Sequence, residues 1–220
     1  MENLIYALYF LYNAFIEMLA STVFILPLSV LYAVLYCRKM RAQNPTRPHL
    51  VRTVLYRTVL QTLLWYYLTA VVAIVGFPDI TSFSFDVTLN LVPFRHFISD
   101  FTNTGLNILL FIPLGIFLPL LWNRFRRLKR LMLCAFAYTF FIEVAQLFCF
   151  RTTDINDIIT NLLGAFLGYL IVRAASKDFS RLSGSSENRL ELLTLSAFCF
   201  VLHAVYIPFV LPALYRFFPL

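Results

Sequence analysis

The sequence alternates long apolar stretches with short blocks of basic residues. A helix needs about 20 apolar residues to cross a hydrocarbon layer about 30 Å thick. Six stretches meet or nearly meet this length. They run from Asn13 to Cys37, Val54 to Gly76, Gly105 to Trp122, Leu131 to Phe150, Asp157 to Val172 and Leu190 to Leu211. The pattern predicts an all-α fold, a polytopic membrane helix bundle with about six transmembrane helices.

The positions of Lys and Arg predict how these helices are oriented. Of the 18 basic residues, all but Arg95, Arg151 and Arg216 lie after the first, third or fifth stretch or at the start of the next one. Cytoplasmic segments of membrane proteins retain an excess of Lys and Arg. We therefore expect both termini on the non-cytoplasmic side of the membrane.

The composition supports a membrane protein and argues against several other classes. Hydrophobic residues make up 60% of the chain and charged residues 13%, whereas soluble domains carry about 25% charged residues. The net charge of +7 is spread over separate loops, so no nucleic-acid-binding face is expected. The four Cys and three His residues are scattered, and no motif for a metal or cofactor is present. We expect neither a metal nor a cofactor.

The fourth stretch contains a pair of polar residues deep in the membrane. Glu143 and Gln146 are three residues apart and therefore share one helix face. A carboxylate near the bilayer centre costs about 2.5–3.5 kcal/mol on insertion scales. Glu143 must therefore face protein or a wet cavity, and it needs a partner.

The fifth stretch begins with a second polar group. Asp154, Asp157 and Asn161 have spacings of three and four residues, which place them on one face of a helix. Gly164 and Gly168 continue this face. Because two glycines four residues apart let helix backbones approach closely, we expect this face to pack tightly against another helix.

The topology brings these residues together on the non-cytoplasmic side. The long connection from Phe77 to Thr104 contains a segment, LNLVPFRHF, that is too apolar for a solvated linker. We therefore expect part of the connection to lie at the membrane interface or to fold back over the bundle. Pro113 is expected to kink the third helix, and Glu17 is expected at the membrane interface. The candidate ligand-binding residues are Arg95, Asn107, Glu143, Gln146, Arg151, Asp154, Asp157 and Asn161.

Several of these segments resemble signature motifs of the VanZ-like family of bacterial membrane proteins, named for an accessory factor in teicoplanin resistance. The matching segments are NLVPF (Asn90 to Phe94), NILLFIPLG (Asn107 to Gly115), IEVAQLF (Ile142 to Phe148) and DINDIITNLLGAFLG (Asp154 to Gly168). The resemblance divides the chain into an additional N-terminal helix with a basic loop (1–53), a VanZ-like core (54–173) and a basic loop with the last helix (174–220). It implies a multi-pass protein of the bacterial cytoplasmic membrane.

The family resemblance implies a role in lipoglycopeptide resistance but supplies no established reaction. Three interpretations of the polar cluster follow. It is a pocket for a membrane lipid, a lipid-linked cell-wall precursor or the antibiotic, in which Arg95 or Arg151 engages an anionic group. Alternatively, it is the site of an enzyme or transporter acting on lipid head groups, with Glu143, Asp154 and Asp157 as the candidate catalytic residues. As a third interpretation, it is a hydrogen-bonded plug that holds the helices together.

Overall fold

The structure is a computed structural model and is mostly helical. It describes residues 2–43, 49–81, 89–90, 92–93, 101–148, 153–175 and 190–216. The helices are α1 (Glu2–Gln43), α2 (Leu50–Val75), α3 (Phe101–Leu121), α4 (Leu128–Gln146), α5 (Ile155–Ala175), α6 (Glu191–Val201) and α7 (Ile207–Leu214). A 3-10 turn, Asn123–Arg126, lies between α3 and α4. A π-helical turn, Leu202–Tyr206, connects α6 to α7. The predicted all-α bundle is confirmed.

Five helical segments in the described part of the chain are long and apolar enough to cross a membrane. They are Leu11–Gln43, Leu50–Val75, Thr102–Leu121, Ile155–Ala175 and Glu191–Leu214, the last of which includes α6, the π turn and α7. The sixth predicted span, α4, has 19 residues but also contains Lys129, Arg130 and Glu143. Glu143 is buried in the protein, while Leu133 and Phe140 are exposed. Beyond the exposed Lys129 and Arg130 of its first turn, the exposed side of α4 is therefore apolar, as a lipid-facing surface requires.

The first helix is much longer than a membrane crossing requires. α1 is one continuous helix of 42 residues, which corresponds to about 63 Å at about 1.5 Å per residue. The helix therefore begins well before Asn13, where the first apolar stretch was predicted to start. α1 packs along α2, where the hydroxyl of Thr62 donates to Ser29 at 2.8 Å and Tyr66 donates to Thr22 at 3.0 Å.

Helices α3 and α5 approach so closely that their backbones touch. A Cβ atom added at Gly164 would overlap the carbonyl oxygen of Ile108, and one added at Gly115 would overlap that of Ala165. Gly168 meets α3 in the same way. The predicted tight packing of the glycine face of the fifth helix is confirmed, and it holds the beginnings of α3 and α5 side by side.

The prolines of α3 do not interrupt the helix. Pro113 and Pro119 both lie inside it. Pro113 lacks the N–H that would bond to the carbonyl of Leu109. At the neighbouring carbonyl of Leu110, the Tyr67 hydroxyl of α2 donates a hydrogen bond of 2.9 Å. A neighbouring helix thus donates a hydrogen bond to a backbone carbonyl close to the proline. The kink itself stays a prediction.

A two-stranded parallel sheet lies among the helices, which apolar periodicity does not predict. It pairs β1 (Leu89–Asn90) with β2 (Thr153–Asp154), so that Leu89 aligns with Thr153 and Asn90 with Asp154. β1 belongs to the long connection after α2, and β2 directly precedes α5. The expectation that part of this connection folds back over the bundle is confirmed for these residues.

Candidate functional site

Several polar side chains meet at the end of the bundle where α2 and α4 end and α3 and α5 begin. We call this the carboxylate end, and we call the polar side chains around the short sheet and the beginnings of α3 and α5 the carboxylate cluster. Its members are Asn90, Asn107, Glu143, Asp154 and Asp157. The α3–α5 glycine contact and the β1–β2 pairing bring them together.

Asp154 connects the short sheet to the start of α5. Its Oδ1 accepts a hydrogen bond of 2.8 Å from the backbone N–H of Asn156, which is the geometry of a helix N-cap. Its Oδ2 accepts a bond of 2.9 Å from the side-chain amide of Asn90. The expectation that Asp154 continues the helical face of Asp157 and Asn161 is wrong, because Asp154 lies in β2, before the first helical residue.

Glu143 is deeply buried, and one of its hydrogen-bond partners is a backbone group. The residue is only 2% exposed. Its Oε2 accepts a hydrogen bond of 2.9 Å from the backbone N–H of Asp154. The hydroxyl of Thr153 donates to the Glu143 backbone carbonyl at 2.9 Å. The end of α4 is thereby bonded to the strand that precedes α5.

Asp157 and Asn107 form the contact between α5 and α3 at this end. The side-chain amide of Asn107 donates to Asp157 Oδ1 at 2.7 Å. Both residues are partly exposed, and Asp157 lies in the first turn of α5. A carboxylate is favourable there, because the free N–H groups of a first turn carry partial positive charge.

The two remaining predicted residues that the structure describes bond to other parts of the bundle. Gln146 donates to the carbonyl of Val75 at 3.1 Å, which bonds the end of α4 to the end of α2. Asn161 donates to the hydroxyl of Thr139 at 2.8 Å, one turn below Glu143 on α4. Asn161 Oδ1 is buried and has no hydrogen-bond partner among the described residues.

Two of the predicted residues, Arg95 and Arg151, lie outside the described residues. Their proposed contacts with an anionic group stay predictions. Of the other six, Asn107, Glu143, Asp154 and Asp157 lie in the carboxylate cluster, while Gln146 and Asn161 occupy its flanks. Within the described part of the chain, no group of three or more His, Cys, Asp or Glu side chains is placed to hold a metal ion.

The sequence profile of the VanZ/LLP1 family matches residues 58–176. The chain belongs to the VanZ/LLP1 family. All five members of the carboxylate cluster lie inside the matched region. No curated protein and no solved structure matches the chain significantly. Family membership and the five apolar spans together identify a VanZ-like, multi-pass membrane protein.

Sequence reasoning missed a buried ion pair at the opposite end of this VanZ-like bundle. Arg57, only 2% exposed, bonds through Nη2 to both carboxylate oxygens of Glu191 at 3.0 and 3.1 Å. Tyr32 and Trp122 also donate to Glu191, each at 3.0 Å. Arg57 was grouped with the basic residues that orient the helices. The available signal was its position inside the apolar run that begins at Val54, where an unpaired charge is costly.

A second missed pair joins α1 to the last span. Glu17 was expected at the membrane interface, but it is buried between helices and contacts His203 at 2.8 Å. The sequence signal was a carboxylate and an imidazole, each inside an apolar stretch and each in need of a partner. Nothing in their spacing along the chain pointed to this pairing.

Proposed function

We propose that this VanZ-like protein acts in lipoglycopeptide resistance of the teicoplanin type by binding a polar head group at the carboxylate end. The ligand is the head group of a membrane lipid or of a lipid-linked cell-wall precursor. Binding would change how much antibiotic reaches its target. Direct binding of the antibiotic at the same residues is the alternative that the experiment below separates.

One observation carries the proposal: the carboxylate cluster combines one buried carboxylate with four partly exposed polar side chains. Glu143 is almost fully enclosed, whereas Asp154, Asp157, Asn90 and Asn107 are partly exposed. Two of the carboxylates therefore reach the surface of the bundle, where a ligand can contact them. Ionisable groups in membrane segments are costly and usually functional.

The partly exposed side chains of the carboxylate cluster suit a ligand with several hydrogen-bond donors. Carboxylate oxygens accept up to about four hydrogen bonds between them. Asp154 accepts one bond from Asn156 and one from Asn90, so it retains acceptor capacity for the hydroxyl or amine groups of a head group. Asn90 and Asn107 each add a side-chain amide. Arg151, two residues before Thr153 in the chain, is the proposed partner for a phosphate in the same ligand.

The geometry of Glu143 favours binding over catalysis. A general base must reach the proton that it removes. The described contact of Glu143 Oε2 is with the backbone N–H of Asp154, at 2.9 Å, and the side chain is enclosed. Glu143 therefore has the features of a positioning residue that holds the start of α5, so we do not propose a lipid-modifying enzyme or a transporter.

The test separates the charge of Asp157 from its hydrogen bond. Asp157→Asn keeps an oxygen that accepts from Asn107 but removes the negative charge. The exchange Asn107→Asp with Asp157→Asn keeps both the bond and the total charge but moves the charge from α5 to α3. Teicoplanin susceptibility and membrane abundance are measured for each variant in a sensitive host, and molecules bound to the purified protein are identified by native mass spectrometry.

We expect both variants to reach normal abundance and to lose at least fourfold in protection, with loss of a co-purifying lipid or precursor. Normal protection by both variants at equal abundance would contradict the proposal. Low abundance of Asp157→Asn, restored by the exchange, would identify a structural plug instead. Retention of antibiotic in place of lipid would assign the site to the drug, and a new covalent lipid species in cells would indicate an enzyme.

A further inference from the structure

Glu17 and His203 form a second polar group at the carboxylate end, separate from the carboxylate cluster. They are 5% and 7% exposed. His203 Nδ1 lies 2.8 Å from Glu17 Oε2, and its Nε2 lies 3.0 Å from the backbone carbonyl of Phe77. Both residues fall outside the segment 58–176 that the family profile matches.

The histidine lies in the π turn of the last span, and this turn is bonded to the connection that follows α2. A π turn displaces backbone carbonyls from the regular helical pattern, and such turns are frequent at functional sites. Here the backbone N–H of Ile80 donates to the carbonyl of Ala204 at 3.2 Å. The Phe77 ring packs against Phe200, with ring centres 4.8 Å apart. The segment Phe77–Ile80 is thus held against the last span by one bond in each direction.

The acceptors around His203 determine how many protons the pair holds. A carbonyl oxygen can only accept, so Nε2 must carry a proton to bond to Phe77. The bond to Glu17 needs a second proton, either on Nδ1 or on the carboxyl group. In both arrangements the pair has no net charge and holds one proton more than a neutral imidazole beside a carboxylate.

Loss of that proton removes one of the two bonds. A neutral imidazole has a single N–H, and the bond to the Glu17 carboxylate is stronger because it is charge-assisted. The remaining proton therefore moves to Nδ1, and the lone pair of Nε2 then faces the Phe77 carbonyl. Two buried acceptors repel each other, so the contact between Phe77 and the last span weakens.

Other titratable groups face the pair from the neighbouring elements. The charge of Asp79, in the connection after α2, acts on His203. Tyr215, beyond α7, interacts electrostatically with Glu17 and also with Tyr9 and Tyr12 of α1. Burial raises the pKa of Tyr215 to about 12, so this phenol stays neutral over the physiological range. A groove of about 380 Å³, lined by Pro78, Asp79, Ile80 and Ala204, lies beside the residue that follows His203.

We infer that the Glu17–His203 pair is a proton-binding site that latches the Phe77–Ile80 segment to the last span. With the proton bound, the segment is held closed. When the proton leaves, His203 releases Phe77 and the segment loosens. This segment begins the connection that leads to Asn90, but the latch does not depend on what the carboxylate cluster binds.

The test measures the mobility of the latched segment in the full-length protein. Ile80 is 55% exposed and accepts a nitroxide spin label as Ile80→Cys, in a chain whose four native cysteines are replaced. The protein is reconstituted in lipid nanodiscs, and its spectrum is recorded from about pH 5 to about pH 9, the range around histidine titration. We expect an immobilised label at low pH and at least a twofold rise in its mobile fraction at high pH.

Two variants assign the transition to the pair. In Glu17→Gln the amide nitrogen can donate to Nδ1 while Nε2–H still donates to Phe77, so the label should stay immobilised at every pH. In Asp79→Asn the transition should persist, with its midpoint at lower pH because a neighbouring negative charge is lost. If both Glu17 and Asp79 are intact and the label still does not respond to pH, the proposal is overturned. A Glu17→Gln protein whose label responds to pH normally would overturn it as well.

Discussion

The close contact of α3 and α5 predicts opposite effects for two glycine-to-alanine substitutions in the same helix. At Gly105 nothing lies within 4 Å of a new Cβ. At Gly115 the new Cβ would lie 2.9 Å from both the backbone nitrogen of Tyr169 and the carbonyl carbon of Ala165, and would overlap the Ala165 oxygen. Comparing the two substitutions therefore separates the effect of helix propensity on stability from the effect of packing.

The expected magnitudes follow from these surroundings. Alanine is favoured over glycine in a helix by about 0.8–1 kcal/mol, so Gly105→Ala should be neutral or stabilise the protein by up to about 1 kcal/mol. At Gly115 the helices must move apart by about 1 Å to relieve the overlap with the Ala165 oxygen, and a gap of that size loses about half of each dispersion contact. With typical overpacking costs, Gly115→Ala should lower the free energy of unfolding by about 1–3 kcal/mol.

The assay is unfolding of the purified protein by sodium dodecyl sulfate, followed by circular dichroism in mixed micelles. Both variants introduce the same methyl group into α3, so they share their effect on expression and micelle binding. We expect the Gly115→Ala midpoint to fall and the Gly105→Ala midpoint to stay or rise. Equal midpoints for the two variants would refute the tight α3–α5 interface.

Three further predictions concern other parts of the bundle. Glu191→Gln leaves the charge of Arg57 buried without its counter-ion and should lower the free energy of unfolding by about 3–5 kcal/mol, whereas Arg57→Met combined with Glu191→Leu should recover most of that loss in the same denaturation assay. Asn161→Leu removes the amide that donates to Thr139 and also a buried oxygen that has no partner among the described residues. These two effects oppose each other, so stability should change by less than about 1 kcal/mol; a loss above about 2 kcal/mol would show that the bond to Thr139 dominates. A cysteine at Thr81 should react with an impermeant thiol reagent added outside intact cells and one at Gln43 should not; the reverse result would invert the predicted orientation.

Hydropathy predicted the helices because each one must meet the same physical requirement by itself. In hydrocarbon the backbone has to satisfy its own hydrogen bonds, and side chains have to be apolar over a fixed length. Both requirements are local, so the bounds of α2 and α3 lie within about four residues of those predicted. The same reasoning correctly expected a buried Glu143 and a tightly packed Gly164 face, because an isolated carboxylate and a glycine repeat are each readable within a single helix.

The partners of the polar residues could not be predicted from the sequence in this way. Asp154 meets Asn90 from 64 positions away, Arg57 meets Glu191 from 134, and His203 meets Glu17 from 186. Glu143 accepts from the backbone N–H of Asp154, a group that every residue except proline has, so the side-chain sequence cannot mark this contact. The membrane hydrocarbon determines, for each segment separately, whether it forms a helix. Which buried charge meets which partner depends on the arrangement of all the helices, and only their packing brings such distant residues together.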